Sequence, residues 1–242
     1  PLQKNVLVEN SFSSAGESHE CLKQNAEYRL LFADRVHRFF LNDGVLTPES
    51  LIPRYTELAA EIETAIIAES ARWGDEHHSP PLTQQEWDNE RNWILETYLP
   101  QRSSIVLEDL IDANLYPDAE APVFKIDKRR QHGGLFRAGN PLIISAGSVA
   151  YYTTDGSDPR LAGGGVSPSA TQYTDPITLS ETVLVKARAY EAGEWSALTE
   201  AVFVLDTPST LRVTEIMYHP VLDEGTSGYT NSIPFEFVEL QN

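Results

Sequence analysis

A single cysteine, Cys21, excludes an intrachain disulfide and any zinc site built on cysteines. Secreted chains large enough to build proper cores do without disulfides, so this leaves export open. No apolar run approaches the ~18 residues that a membrane-spanning helix needs, and no signal peptide opens the chain. Positive charge is scarce as well: 18 Lys and Arg stand against 36 Asp and Glu, a formal net charge of −18. Such a balance argues against a general nucleic-acid binder, which needs a basic face to collect phosphates, and against docking on an anionic membrane. It describes a soluble, self-repelling surface that suits an extracellular setting. No G-x-S-x-G elbow occurs, which removes support for serine-hydrolase chemistry. His19 is two residues from Cys21, hence on a different helix face, so the thiol lacks a positioned base.

What is present is enough to build cores: 41% of the 242 residues are apolar and 10% aromatic. Residues 1–17 are polar and weakly patterned. From about Ser18 to Leu115 the spacing is helical. Leu30, Leu31, Phe32, Val36, Phe39 and Phe40 form a wide apolar stripe, ended at Asn42-Asp43-Gly44 by a glycine expected in the left-handed conformation. Thr47-Pro48-Glu49 reads as a cap, a first-position proline and a first-turn carboxylate. The helix that follows carries Leu51, Tyr55, Leu58, Ile62, Ile66 and Trp73 on one face, with a kink expected at Pro53. Thr83-x-x-Glu86 forms a capping box. It opens a third helix with Trp87, Trp93, Ile94 and Tyr98, which Pro100 is expected to interrupt before a fourth.

The pattern changes at Tyr116-Pro117-Asp118. Short β-branched and aromatic segments predict strands at Leu142–Ser145, Val149–Thr153, Ile177–Leu179, Val183–Tyr190 and Glu200–Leu205. In Val183–Tyr190, Val183, Val185, Ala187 and Ala189 alternate with Leu184, Lys186, Arg188 and Tyr190, the period of two of a sheet with one buried face. About 90 residues of this kind suit a β-sandwich. Thr207-Pro208-Ser209 reads as a linker, and Leu211–Met217 and Phe235–Leu240 as further strands, too few to fold unaided. Pro1 stands where an initiator methionine would, and the last residues fall in a strand, so both ends are expected to be cuts through a longer polypeptide. The fold class expected is multidomain α plus β. A helical region covers 1–117, an antiparallel β-sandwich 118–206 and a truncated β segment 207–242.

Three stretches resemble known families. Tyr151-Tyr152-Thr153-Thr154-Asp155-Gly156-Ser157-Asp158-Pro159-Arg160, with Ile177-Thr178-Leu179-Ser180 and Val183–Ala189, resembles the chitobiase/β-hexosaminidase C-terminal-type module across roughly residues 120–205. That resemblance implies an immunoglobulin-like sandwich of the kind appended to secreted bacterial proteins, often polysaccharide-active ones. The stretches NAEYRLLFADRVHRFFLNDGVLTPE and AIIAESARWGD resemble the C-terminal helical end of CotH-like proteins of the spore-coat kinase family. The ATP-binding lysine and metal-binding aspartates of that family lie upstream, and no position here matches them. LRVTEIMYHP and PFEFVELQN resemble the first strands of a bacterial lamin-tail domain.

Several residues compete for functional roles. His77-His78 beside Asp75 and Glu76 invites a metal, but adjacent histidines diverge and helical ligand spacing is absent, so a solvated loop is expected. Asp155-Gly156-Ser157-Asp158 lacks the third oxygen ligand and bidentate Glu of a calcium loop, so Asp155, Gly156 and Asp158 are read as structural turns. Lys125, Lys128, Arg129, Arg130 and Arg137 form the one basic cluster, read as an edge facing the acidic helical region, with anionic-glycan binding as the alternative. Trp73, Trp87 and Trp93 are expected in a core. Trp195 falls in a turn, where it caps the sandwich or, with Tyr190, stacks on a sugar ring. The expected function is that of a non-catalytic structural or interaction piece of a secreted or surface modular bacterial protein. No cofactor, metal, nucleic acid or membrane insertion is expected. The expected partners are neighbouring modules, a polysaccharide or a cell-surface protein. The alternatives are a carbohydrate-binding accessory module and the support region of a secreted CotH-like kinase.

Overall fold

The computed structural model describes residues 2–3, 14–76, 78–207, 212–218 and 236–241. The chain divides into two compact units, Pro1–Val204 and Leu205–Asn242. Among the described residues, the first contains all the helices and two of the three sheets.

Helices α1 (Ser14–Leu22), α2 (Ala26–Phe40), α3 (Pro48–Trp73), α4 (Gln84–Trp93) and α5 (Leu99–Asp112) follow the predicted order. Helix α2 begins where the Asn25 side chain accepts the backbone N–H groups of Glu27 and Tyr28. Helix α4 begins at the predicted capping box: Thr83 accepts from the Gln85 N–H, and Glu86 accepts from the Thr83 N–H at 2.7 Å. Thr47 occupies the cap position of α3 but makes no cap bond. Its hydroxyl donates instead to the Gly44 carbonyl at 2.9 Å.

Three local expectations are corrected. The left-handed residue after α2 is Asn42 (φ 57°), not Gly44. Gly44 is required by space, because a Cβ there would lie 2.6 Å from the Arg38 carbonyl oxygen. Helix α3 runs through Pro53 without a break. Pro100 does not interrupt its helix either, because a π-helical turn at Ile94–Tyr98 joins α4 directly to α5. There the Leu99 N–H bonds back to Ile94, one residue further than in an α-helix, just before the proline that has no N–H to give. Trp73, Trp87 and Trp93 are not core either. Trp73 is 48% exposed under the Arg72 guanidinium, and Trp87 is half-buried under Arg91. Helix α3 packs on both α4 and α5, yet Ala59 is the one fully buried residue of α3 and α4, so the rings stay at the surface.

The sandwich has two sheets. One runs β2 (Arg129–Arg130), β1 (Val123–Ile126), β4 (Pro141–Ser145), β7 (Ile177–Thr178). The other runs β3 (Gly134–Phe136), β10 (Thr199–Leu205), β8 (Val183–Glu191), β5 (Val149–Thr153), β6 (Thr171–Gln172), with β9 (Glu194–Trp195) paired to β8. The pairings of β4 with β1 and of β8 with β5 and β10 are antiparallel. Phe124 of β1 and Phe203 of β10 meet edge to face at 5.7 Å between the sheets, both fully buried, with Leu142 and Val185 beside them. Each such side chain stabilises the fold by roughly 1.5–3 kcal/mol relative to leaving it in water.

A second core is shared between helices and sandwich: Ala33 and Val36 of α2, Leu110 of α5, Leu115 and Tyr116, and Ala197 from the β9–β10 connection. It joins α2 and α5 to the connection that leads into β10. Residues Leu205–Asn242, taken by themselves, include β11 (Arg212–Met217) and β12 (Phe237–Gln241), an antiparallel pair with a register shift between Val213 and Glu215. Leu211, Phe235 and the Pro208-Ser209 linker lie outside the described residues.

Candidate functional site

Helix α2 places Glu27, Asp34 and His37 seven and three residues apart, on one face. All three are used by the sandwich. Asp34 accepts the two terminal nitrogens of Arg188 at 2.8 and 2.7 Å, and also the Leu198 N–H at 2.8 Å. From the other side Asp158 accepts Arg188 Nε at 2.8 Å and Nη2 at 2.7 Å. Nη1 donates as well to the Ser196 carbonyl at 2.9 Å. The five N–H donors of a guanidinium are thus all engaged. Arg188 is 2% exposed. Burial opposes its charge, but the hydrogen bonds to Asp158 and Asp34 outweigh that, and its pKa rises. Burial would push Asp158 up; its hydrogen bonds from Arg188, that residue's charge and the Arg160 N–H bring it below the usual carboxylate range.

The alternation in β8 placed Arg188 on an outward face, in company with Lys186 and Tyr190. It does point away from the sandwich interior, but α2 lies over that face.

Glu27 makes a second, shallower contact. It accepts Arg160 Nη1 and Nη2 at 2.7 and 2.6 Å and the Gly163 N–H at 2.9 Å. The hydrogen bonds from Arg160 and then Gly163 hold its carboxyl at about 2. His37 makes the third. Its Nδ1 is 2.7 Å from Tyr116 Oη and its Nε2 3.1 Å from Thr199 Oγ1. Thr199 gives its one hydroxyl proton to the Pro122 carbonyl at 2.7 Å, so it accepts from Nε2–H, and Nδ1 accepts from Tyr116. Burial, followed by the nearby charges of His132, Arg130 and Arg188, lowers the His37 pKa to about 4, which keeps it neutral.

The Asp155–Arg160 stretch is ordered by its own side chains. Asp155 accepts the Ser157 N–H at 2.9 Å, Gly156 turns at φ 82°, and Asp158 accepts the Arg160 N–H at 2.9 Å. These turns are what aim Asp158 and Arg160 at α2. Among the described residues no group of three or more His, Cys, Asp and Glu side chains is placed to hold a metal ion. His77 lies outside the described residues, and His78 is exposed. Of the basic cluster, Arg130 donates to Asn42 at 2.9 Å and Lys125 to Ser145, while Lys128, Arg129 and Arg137 are exposed. Cys21 is free and exposed.

Trp195 is 5% exposed, donates Nε1–H to the Gly164 carbonyl at 2.7 Å and packs on Tyr190 and Tyr151. A ring this covered has no open face for a sugar, so the stacking role considered for it does not fit. Tyr190, 37% exposed, lies 4.9 Å from it, centroid to centroid. Both line a cleft of about 460 Å³ between α2, residues 114–117 and the 160–164 loop.

Two antiparallel sheets packed through Phe124 and Phe203, with a helix on one outer face, define a module of the immunoglobulin/fibronectin III-like class. The sequence model of the Fn3-associated family matches residues 144–203, about a quarter of the chain. That is the region from β4 to β10, including Asp158, Arg160 and Arg188. The match marks an accessory module of the type found in modular extracellular proteins. No curated protein matches the chain. No helix among the described residues is long and apolar enough to cross a membrane.

What sequence reading missed is the socket. Asp34, Glu27 and Arg188 were visible as residues, but nothing local pairs positions 154 apart. The signal available was an arginine flanked by two alanines, Ala187-Arg188-Ala189, where another element can approach closely.

Proposed function

We propose that the chain is a non-catalytic structural and interaction piece of a secreted or surface-attached modular bacterial protein, in which the helices and the Fn3-associated module act as one stiff strut. The observation that carries this reading is the Arg188 socket. A guanidinium with all five donors engaged by α2 and the sandwich resists both rotation and separation of the two. The displaced pKa values of Glu27, His37, Asp158 and Arg188 all arise inside this joint, which is the chemistry of docking rather than of an open reaction centre. The likeness of α2 and α3 to the helical end of CotH-like proteins, and of residues 211–242 to the opening of a lamin-tail domain, supports placing the strut in a tandem of surface modules. If the parent is a CotH-like kinase, this region braces it and supplies no ATP-binding residue.

Native-state hydrogen exchange tests the strut. The slowest amides of α2 and β8 should open with the same free energy, and Arg188→Ala should separate them, with α2 opening first. Unequal opening in the unaltered chain would remove the reading.

A further inference from the structure

We propose that the cleft between α2, residues 114–117 and the β8–β9 hairpin binds a neutral oligosaccharide, with Tyr190 as its stacking platform. This binding role goes beyond the strut, which needs no ligand. The cleft, of about 460 Å³, is of the size that takes a small ligand. Its walls are composite. Arg29 and Asn114 come from the helical side; Arg160, Tyr190 and Glu194 come from the module. The four charges around it, Glu27, Arg160, Arg29 and Glu194, cancel. Glu27 and Arg160 are moreover committed to each other, and Arg29 donates to the Lys23 and Gln24 carbonyls. The charges on the walls balance in sum, which gives neither an anion nor a cation a net advantage there.

What remains on offer is an aromatic ring and hydrogen-bonding groups around it. Tyr190 is held from behind by Trp195 and keeps 37% of its surface open. The hairpin beside it turns through Ala192 (φ 50°) and Gly193 (φ 95°), which brings exposed Glu194 to the rim of the cleft. Exposed Asn114 stands on the opposite wall. An aromatic face for the C–H face of a pyranose, with an amide and a carboxylate for its hydroxyls, is a combination that fits a sugar. The ion pairs of α2 with Arg160 and Arg188 hold the two walls at a set separation, so the site needs little ordering on binding.

The test is isothermal titration of the whole 242-residue chain with cellopentaose, chitopentaose, xylopentaose and mannopentaose. At least one should bind. Tyr190→Ala should weaken that binding about ten-fold, Tyr190→Phe should retain it, and both should keep the thermal transition of the parent. Glu194→Ala, at an exposed position that does not threaten the fold, should weaken it too. The proposal is overturned if no pentasaccharide binds, or if binding survives Tyr190→Ala and Glu194→Ala undiminished. Tighter binding of a pentagalacturonate than of every neutral sugar would overturn it as well.

Discussion

Arg188 in the sandwich and Asp34 in α2 are 154 residues apart in sequence and share two hydrogen bonds of 2.8 and 2.7 Å. Asp158 completes the site from within the module. Because the cation sits between two carboxylates and is nearly inaccessible, removing it leaves two negative groups facing each other in a partly dry joint. We therefore expect Arg188→Met to lower stability by about 3–5 kcal/mol, read as the shift in urea midpoint at constant m. The triple variant Arg188→Met, Asp34→Ala, Asp158→Ala should recover most of that loss. If the triple variant is no better than the single one, the cost lies in packing and not in uncompensated charge.

The two arginine contacts should differ in depth. Glu27 is 46% exposed at its side chain and Asp34 only 15%. Glu27→Ala is expected to cost about 0–1 kcal/mol and to matter less in high salt, whereas Asp34→Ala should cost about 3–5 kcal/mol with little salt dependence. Paired denaturation curves at low and high sodium chloride measure both. Equal losses for the two would mean that the shallow contact carries more than its exposure implies.

Acid should loosen the joint in two stages. The folded-state pKa of His37 lies at about 4, below its usual 6.5, so the unfolded chain binds the proton more tightly. Stability from this group is complete above pH 6.5 and is lost as pH falls towards 4, by about 3 kcal/mol in all. Glu27, held at about 2, adds a loss between the ordinary carboxylate value of 4.5 and 2. His132, also lowered by burial, works in the same direction as His37. Urea midpoints between pH 7.5 and 4 should therefore fall, and His37→Gln should flatten the profile in part. An unchanged profile in that variant would place the titrating group elsewhere.

Two neighbouring glycines separate space from conformation. Gly133 and Gly134 both have φ 82°, but a Cβ on Gly133 would lie 2.7 Å from the Val202 carbonyl oxygen, while one on Gly134 meets nothing within 4 Å. Gly134→Ala should cost about 1 kcal/mol for the left-handed backbone alone. Gly133→Ala should cost more, because β10 must also give way. A larger loss at Gly134 would contradict the close approach between Gly133 and Val202.

Local signals were read well from sequence. The Thr83–Glu86 box and the strand segments from Leu142 to Leu205 depend on neighbours within a few residues, and they stand where the pattern put them. What could not be read is what lies over each surface. Period two separates the faces of β8 but does not show that α2 covers the outer one, so Arg188 looked solvated. Period 3.6 groups Trp73 with Ile66 and Ile62 but does not show how little of that face a neighbouring helix covers, so Trp73 looked buried. Pro100 looked like a break because the π turn that absorbs it uses an i→i−5 bond that no residue type announces. For the same reason the Tyr190 cleft was half visible: its ring was noted, but the opposite wall comes from residues 26–30 and 114–117.

The Arg188 socket also sets the size of the smallest transplantable piece. A gene fragment opening at residue 118 would carry Asp158, Arg160 and Arg188 but leave Glu27, Asp34 and His37 behind, exporting two arginines without their acceptors on α2. Grafted onto a foreign helix, the sandwich would have to find a carboxylate at each of two positions seven residues apart. Shuffling of this module between proteins is therefore expected to carry its docking helix along as part of the cargo.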